Sequence, residues 1–447
     1  MAGIEPMKKL LPILISAALG GLSASAWADN LAQIYELAKK NDPQLLGTEA
    51  QRDNAFEAIN SSRSSLLPQI NLTAGYNVNH SDEDIRNSKA LTAGVNFSQE
   101  LYKRSSWLSL GVAEKRAREA DAQYAAAQQS LILRVSTAYF EVLRAQDSLA
   151  FVRAEKASVG RQLDQTKQRF EVGLSAITDV HDAQAQYDAV LADEILAQNT
   201  LTNSYEALRE ITGQEATHLS ILDTDRFSTS KPSETIEQLV KDAEVKNLSL
   251  LASRIAKDIA KDNISIAKSN NLPSLTLDGG YNYNREYDSD YAYYDTYAGH
   301  NTKDLNVGIN LSIPLYTGGN LTSLNKQAQF SFVKASQDLE AQYRSVVKDV
   351  RAYNNNINAS IGAIRAYQQS LVSAKSALKA TEAGFEVGTR TIVDVLDSTR
   401  RLYDANKNLA DARYDYILNV LQLRQATGNL TEQDVLDINA GLKKSDK

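Results

Sequence analysis

Apolar and polar residues alternate one by one in four segments of this chain. Ile70, Leu72, Ala74, Tyr76 and Val78 share one face, with Asn71, Thr73, Gly75 and Asn77 on the other. Leu91, Ala93, Val95 and Phe97 oppose Thr92, Gly94, Asn96 and Ser98. Leu275, Leu277, Tyr281 and Tyr283 oppose Thr276, Asp278, Gly280 and Asn282, and Leu305, Val307, Ile309, Leu311 and Ile313 oppose Asn306, Gly308, Asn310 and Ser312. A period of two sends successive side chains to opposite faces of a strand. The pattern predicts strands over 68–80, 89–102, 273–286 and 302–316. Each run is close to the ~10 residues of a tilted membrane strand, with lipid on one side and water on the other. A soluble sandwich would give the same alternation. In a membrane, four strands cannot close a barrel, because the smallest use about eight and an open edge in lipid leaves backbone groups unpaired. A membrane barrel must then be shared between copies, and two, three or four would each serve.

A second rhythm runs through the long segments between these pairs. Leu131, Val135, Ala138, Val142, Ala145, Leu149 and Val152 recur at alternating spacings of 4 and 3. Val346, Val350, Tyr353, Ile357, Ile364, Tyr367, Leu371, Ala374 and Leu378 keep the same seam, with Ser360 in one slot. That is a heptad signature. It predicts helices over 105–169, 176–212, 318–384 and 391–427. About 65 residues at 1.5 Å each reach roughly 100 Å, too long for a compact domain. The flanks are rich in Gln, Asn, Ser, Lys and Asp. A narrow apolar seam between two wet faces suits the wall of a water-filled tube, and an ordinary coiled-coil stalk would share it.

The two rhythms occur twice. Leu67-Pro68 precedes Gly75-Tyr76-Asn77 as Leu272-Pro273 precedes Gly280-Tyr281-Asn282, and Phe170-Glu171-Val172-Gly173 returns as Phe385-Glu386-Val387-Gly388. Internal repetition at this scale marks a duplicated structural unit. The chain divides into a first repeat over 29–230, a second over 248–428, a connector over 213–247 that overlaps the end of the first, and a final segment over 429–447. Polar loops, Ser81 to Ala90 and the tyrosine-rich Arg285 to Lys303, join the paired strands. Trp107, just after the second strand, stands where an interfacial aromatic belt would sit, and a plain packing role would also explain it.

Each pair of long helices is joined by a similar turn. Phe-Glu-Val-Gly is followed by three variable residues and Ile-x-Asp-Val-x-Asp, which gives Ile177, Asp179, Val180 and Asp182 in one copy and Ile392, Asp394, Val395 and Asp397 in the other. Gly173 and Gly388 can take the left-handed conformation that ends a helix. Thr178 and Thr391 lie where the returning helices begin. Two aspartates three apart share a helix face near its positive end. Around a symmetry axis such pairs become a ring of carboxylates that favours cations. Plain helix-start charge would also explain them.

Composition narrows the function. The 447 residues include no cysteine, which excludes disulfides, thiolate catalysis and an amino-terminal lipid on cysteine. A net charge of −7 argues against nucleic acid. Residues 1–28 read as a secretory signal, with Lys8 and Lys9, an apolar run from Leu10 to Leu22 and Ala26-Trp27-Ala28 for cleavage before Asp29; Met7 is an alternative start. None of His80, His181, His218 and His300 has a metal-ligand partner at a useful spacing, and no P-loop, nucleophile-elbow serine or HExxH motif is present. Neither an enzyme nor a resident cofactor is expected.

With these features in hand, the chain resembles the outer-membrane efflux proteins. The resemblance rests on Met7-Lys8-Lys9-Leu10-Leu11-Pro12, Arg161-Gln162-Leu163-Asp164-Gln165-Thr166, Val172-Gly173-Leu174 with Ala176-Ile177-Thr178-Asp179-Val180, and Val387-Gly388-Thr389-Arg390-Thr391-Ile392-Val393-Asp394-Val395-Leu396-Asp397. It implies a mainly α protein with β: a homotrimer whose 12-stranded outer-membrane barrel continues into a 12-helix periplasmic tunnel, with a mixed α/β equatorial domain. It implies export of drugs or proteins, with a periplasmic adaptor and an inner-membrane pump or ABC transporter as partners. Asp394 and Asp397 match the family's cation-binding ring at the periplasmic entrance. Arg390, Thr178 and Asp179 match polar links that close that entrance. Val172, Gly173, Leu174, Val387, Gly388 and Thr389 match the adaptor-contact tips. Phe385 is a departure: the family pattern has tyrosine there, and phenylalanine cannot make its link to Asp179. The resemblance then implies a weaker closed state or greater reliance on Arg390. A periplasmic adaptor, or a coiled-coil stalk with a β head, is the competing reading.

Overall fold

The computed structural model describes residues 30–80, 88–216, 218–287 and 301–443. The expected signal segment and the middles of the two polar loops lie outside these residues. The chain runs α1 (Leu31–Asn41), α2 (Pro43–Ser64), β1 (Gln69–Asn79), β2 (Ser88–Tyr102), α3 (Arg104–Glu171) and α4 (Ile177–Thr212). After a short β3 (Ile221–Leu222) come α5 (Ile236–Lys246), α6 (Leu248–Ser269), β4 (Ser274–Tyr287), β5 (Asn301–Ser312), α7 (Asn320–Glu386) and α8 (Ile392–Ala426). It closes with α9 (Glu432–Ala440) and β6 (Leu442–Lys443).

The duplication extends to element lengths. α1 and α2 have 11 and 22 residues, as do α5 and α6. α3 and α7 have 68 and 67, and α4 and α8 have 36 and 35. The segment expected as a connector, 213–247, includes one helix of the repeated pattern. Its last part is α5, the counterpart of α1, started by a capping box in which Thr235 and Gln238 bond each other's backbone. Asp42 caps α2 through Leu45 N, and Asn247 caps α6 through Leu250 N. The C-terminal ends of α4 and α8 are sealed alike. Asn41 Nδ2 donates to Thr212 O and Asn247 Nδ2 to Ala426 O, both at 2.9 Å.

Gly428 ends α8 with φ +76°, and a Cβ there would sit 2.2 Å from Lys246 O. Gly428→Ala is expected to cost about 1–3 kcal/mol through this overlap. Thermal unfolding followed by circular dichroism checks it; an unchanged Tm would mean the α5–α6 junction yields freely.

The four long strands form one antiparallel sheet in the order β1-β2-β4-β5. Its register aligns the apolar positions across the sheet. Leu72 faces Val95, Val95 faces Tyr281, and Tyr281 faces Leu305. The other surface is a polar row in which Thr73, Gly94, Asn282 and Asp304 stand abreast. Glycine is needed at Gly94 because the Asn282 side chain fills the space a Cβ would take, 2.2 Å away. The apolar surface is open: Ile70 is 71%, Leu72 78% and Leu305 78% exposed. β1 and β5 are edges with no further partner among the described residues. β5 stops at Ser312, short of the expected 316. Pro314 has no N–H to donate, and the chain then turns through Gly318 and Gly319, both at positive φ. Ile313 therefore lies beyond the strand.

Where the helices meet, the heptad seam is the core. Leu131, Val135, Val142, Val346, Val350 and Ile357 are all buried. A large apolar cluster joins α1, α3 and α8 to the β3 region and to Val435 of α9. Beside it the carboxy-terminal segment is sewn in: β6 pairs with β3, and Tyr35 Oη and Lys39 Nζ both donate to Glu432. A second cluster joins α5, α7 and α8. A third lies near the two turns and gathers Val159, Leu163, Ala183, Ile392, Val395 and Leu396. Trp107 sits in the first turn of α3 and is exposed. Among the described residues no helix is long and apolar enough to cross a membrane.

Candidate functional site at the helix turns

Both turns close by the same backbone scheme. Gly173 (φ +77°) donates to Phe170 O, and Leu174 N to Arg169 O at 2.7 Å. Gly388 (φ +80°) donates to Phe385 O, and Thr389 N to Gly384 O at 2.8 Å. These bonds use carbonyls that a helix end leaves free. They present Val172, Leu174 and Val387 to solvent at 69%, 69% and 75% exposure, an unusual amount of bare apolar surface for a turn. Thr389 is exposed beside them.

Asp179 and Asp394 start the returning helices. The Asp179 carboxylate accepts from Ser175 Oγ at 2.7 Å and Ala176 N at 3.2 Å. The Asp394 carboxylate accepts from Thr391 N and Thr391 Oγ1, both at 2.9 Å. These two bonds, aided by the nearby Arg390 charge, hold the Asp394 carboxyl below its usual range, so it stays ionised. Asp397, one turn on, pairs with Arg401 at 2.6 Å. Thr178 and Asp182 are exposed. Two carboxylates per chain cannot enclose a cation, and among the described residues no group of three or more His, Asp or Glu side chains is placed to hold a metal.

Arg390 is exposed but positioned. Its stem crosses Gly384, where a Cβ would meet Arg390 Cγ at 2.7 Å, and its N–H donates to Gly384 O at 3.2 Å. Among the described residues its guanidinium has no hydrogen bond or ion pair, and nothing joins it to Thr178 or Asp179 within one chain. Phe385 is half-buried against the third apolar cluster, and the Arg169 guanidinium lies 4.8 Å from its ring centroid.

Two features here were not foreseen from the sequence. The first is a buried link, Gln162 Nε2 to Thr399 Oγ1 at 3.0 Å, between α3 and α8. The second is a 540 Å³ cavity between α3, α4 and α8, lined by Glu155, Asp193 and Asp404 with Arg400 and Lys407. Burial, then Asp404 and Asp193, pushes Glu155 up to about 7 from an ordinary 4.5, against the opposing Arg400. Between those values the folded chain keeps a proton that the unfolded chain has lost. Stability therefore falls as pH rises from 4.5 through 7, and the penalty is complete above 7. Glu155→Gln is expected to raise the Tm at pH 8 by about 1–2 °C and to leave it unchanged at pH 5. Equal shifts at both values would remove the titration as the cause.

The sequence model described as outer membrane efflux protein matches residues 34–214 and again 239–429, once for each repeat. The chain belongs to the outer membrane efflux protein family. It is 71% identical to the outer membrane protein TolC of Vibrio cholerae, over 99% of this chain and 100% of that protein. It is 29% identical to the alkaline protease secretion protein AprF of Pseudomonas aeruginosa, over 96% and 90%. The fold is that of the Campylobacter jejuni CmeC outer membrane channel, with a TM-score of 0.75 at 17% identity, over 92% of this chain and 89% of that one. As an outer membrane efflux protein, the chain resides in the outer membrane.

Proposed function

We propose that the chain is the exit duct of efflux pumps and type I secretion systems, a passive channel rather than an enzyme. The observation that carries this is the sheet: one continuous apolar surface, one polar surface and two edges unpaired among the described residues, leading straight into helices roughly 100 Å long. Edges in lipid must be paired. Three copies would pair β5 of each chain with β1 of the next and close a 12-stranded barrel around the polar face. The heptad helices would continue it as a 12-helix periplasmic tunnel, with α1, α9, β3 and β6 in an equatorial collar.

At the far end the turns form the entrance. Asp394 and Asp397 from three chains make a carboxylate ring that attracts cations. Arg390, whose guanidinium makes no hydrogen bond or ion pair among the described residues, would reach toward Thr178 and Asp179 of a neighbour. The bare apolar residues Val172, Leu174 and Val387, set beside Gly173, Gly388 and Thr389, offer a contact for a periplasmic adaptor, which would bring an inner-membrane pump or ABC transporter. The relation to an alkaline protease secretion protein supports protein cargo as well as small compounds.

Single-channel recording in a planar bilayer tests the reading, with a trivalent cation added to each side in turn. A small conductance blocked from one side only is expected. A purified, folded trimer that never conducts, even with its gate residues replaced, overturns the proposal.

A further inference from the structure

α3 and α7 end at adjacent turns, and each helix end carries a partial negative charge of about half a unit. α3 has Arg169 in its last turn, whereas α7 has no basic residue there. Arg169 spans the gap. Its guanidinium carbon lies 4.8 Å from the Phe385 ring centroid, in the last turn of α7. Its Nε is buried with no hydrogen-bond partner, and among the described residues no carboxylate pairs with it. A guanidinium that is half-buried and unpaired loses hydration, and the face of an aromatic ring is what compensates it here. On the turn side of the Gln162–Thr399 bond, no other hydrogen bond, ion pair or ring contact joins the α3–α4 hairpin to the α7–α8 hairpin among the described residues.

We propose that Arg169 is a gate residue, whose stacking on Phe385 clips the α7–α8 turn to the α3–α4 hairpin and holds the entrance closed. The role rests on the channel reading above. It also gives Phe385 a task that needs no hydroxyl: the ring supplies a face to a cation, not an oxygen to a carboxylate. Arginine suits the contact because its planar head stacks flat, while a lysine would offer a point charge that holds its water.

The test uses the full-length protein in planar bilayers. Arg169→Gln and Phe385→Leu should each shift the opening equilibrium about three- to tenfold toward conduction, the range of one desolvated cation–ring contact. The double variant should open no further than the more open single variant, because both remove one contact. Arg169→Lys should fall between the parent and Arg169→Gln. A closed Arg169→Gln channel, or additive single effects, overturns the clip. A second readout needs no conductance. The chain has no cysteine, so Glu171→Cys and Glu386→Cys accept spin labels on the two turns. Pulsed electron resonance should show their separation longer and broader in Arg169→Gln. An unchanged distribution sinks the clip whether or not the protein conducts, whereas a wider one in a protein that never conducts counts against the channel reading alone.

Discussion

Replacing Asp394 and Asp397 together by alanine is expected to abolish one-sided block of the channel by multivalent cations. In the proposed trimer the two positions would place six carboxylates around one axis. Like charges held close together bind a counter-charge more strongly than any of them alone, and the more so for a trivalent cation. Removing all six should weaken the block about 100-fold or more, measured as the cation concentration that halves the conductance. Asp394 also caps α8 through Thr391, so the alanine variant loosens the first turn of that helix. Asp394→Asn separates the two roles, since an amide oxygen can still accept from Thr391 but brings no charge. If the asparagine variant, combined with Asp397→Asn, were still blocked as strongly as the parent, the ring would have no part in the block.

Arg390→Ser is expected to raise the single-channel conductance several-fold. The reason lies in what Arg390 lacks. Its stem is seated on Gly384, and its guanidinium has no partner within the chain among the described residues. A cation held in place but left unpaired is poised for an acceptor on another copy. Salt bridges that span an interface resist its opening, and truncating one partner leaves the other without compensation. Serine removes the charge and keeps a small polar side chain at the turn. A conductance trace indistinguishable from the parent's would assign Arg390 to solubility alone. With phenylalanine at position 385 the chain has no tyrosine hydroxyl to share this load, so the effect of Arg390 should be large here.

What the sequence made legible follows from how far apart the cooperating residues are. The strands and long helices are written in strict local rhythms, and neighbours within a few positions determine them. Gly173 and Gly388 are equally local, as are the caps at Asp179 and Asp394, because each is settled within one turn of chain. The end of β5 is also local, because Pro314 lies two residues past Ser312 and has no N–H to donate. α5 escaped because only Leu239 and Ala243 of its 11 residues are buried, too few to show a period. Its Thr235–Gln238 capping box was there to be read. The Gln162–Thr399 bond, by contrast, joins residues 237 positions apart. It depends on the relative register of α3 and α8, which no local pattern records. The Arg169–Phe385 contact and the Glu155 cavity depend on long-range placement in the same way.

In the trimer proposed above, duplication followed by threefold assembly would make the wall nearly, but not truly, sixfold. Six hairpins of matched length would surround the axis, alternating between two kinds of turn. One kind carries Arg390 before Asp394 and Asp397; the other carries Ser175 and Ala176 before its own cap, Asp179. The two copies within one chain differ at these turn residues while keeping the same span. In such a trimer one set of three hairpins would be a fixed frame and the other the moving leaves, so that a stator and a shutter would come from two copies of one hairpin design.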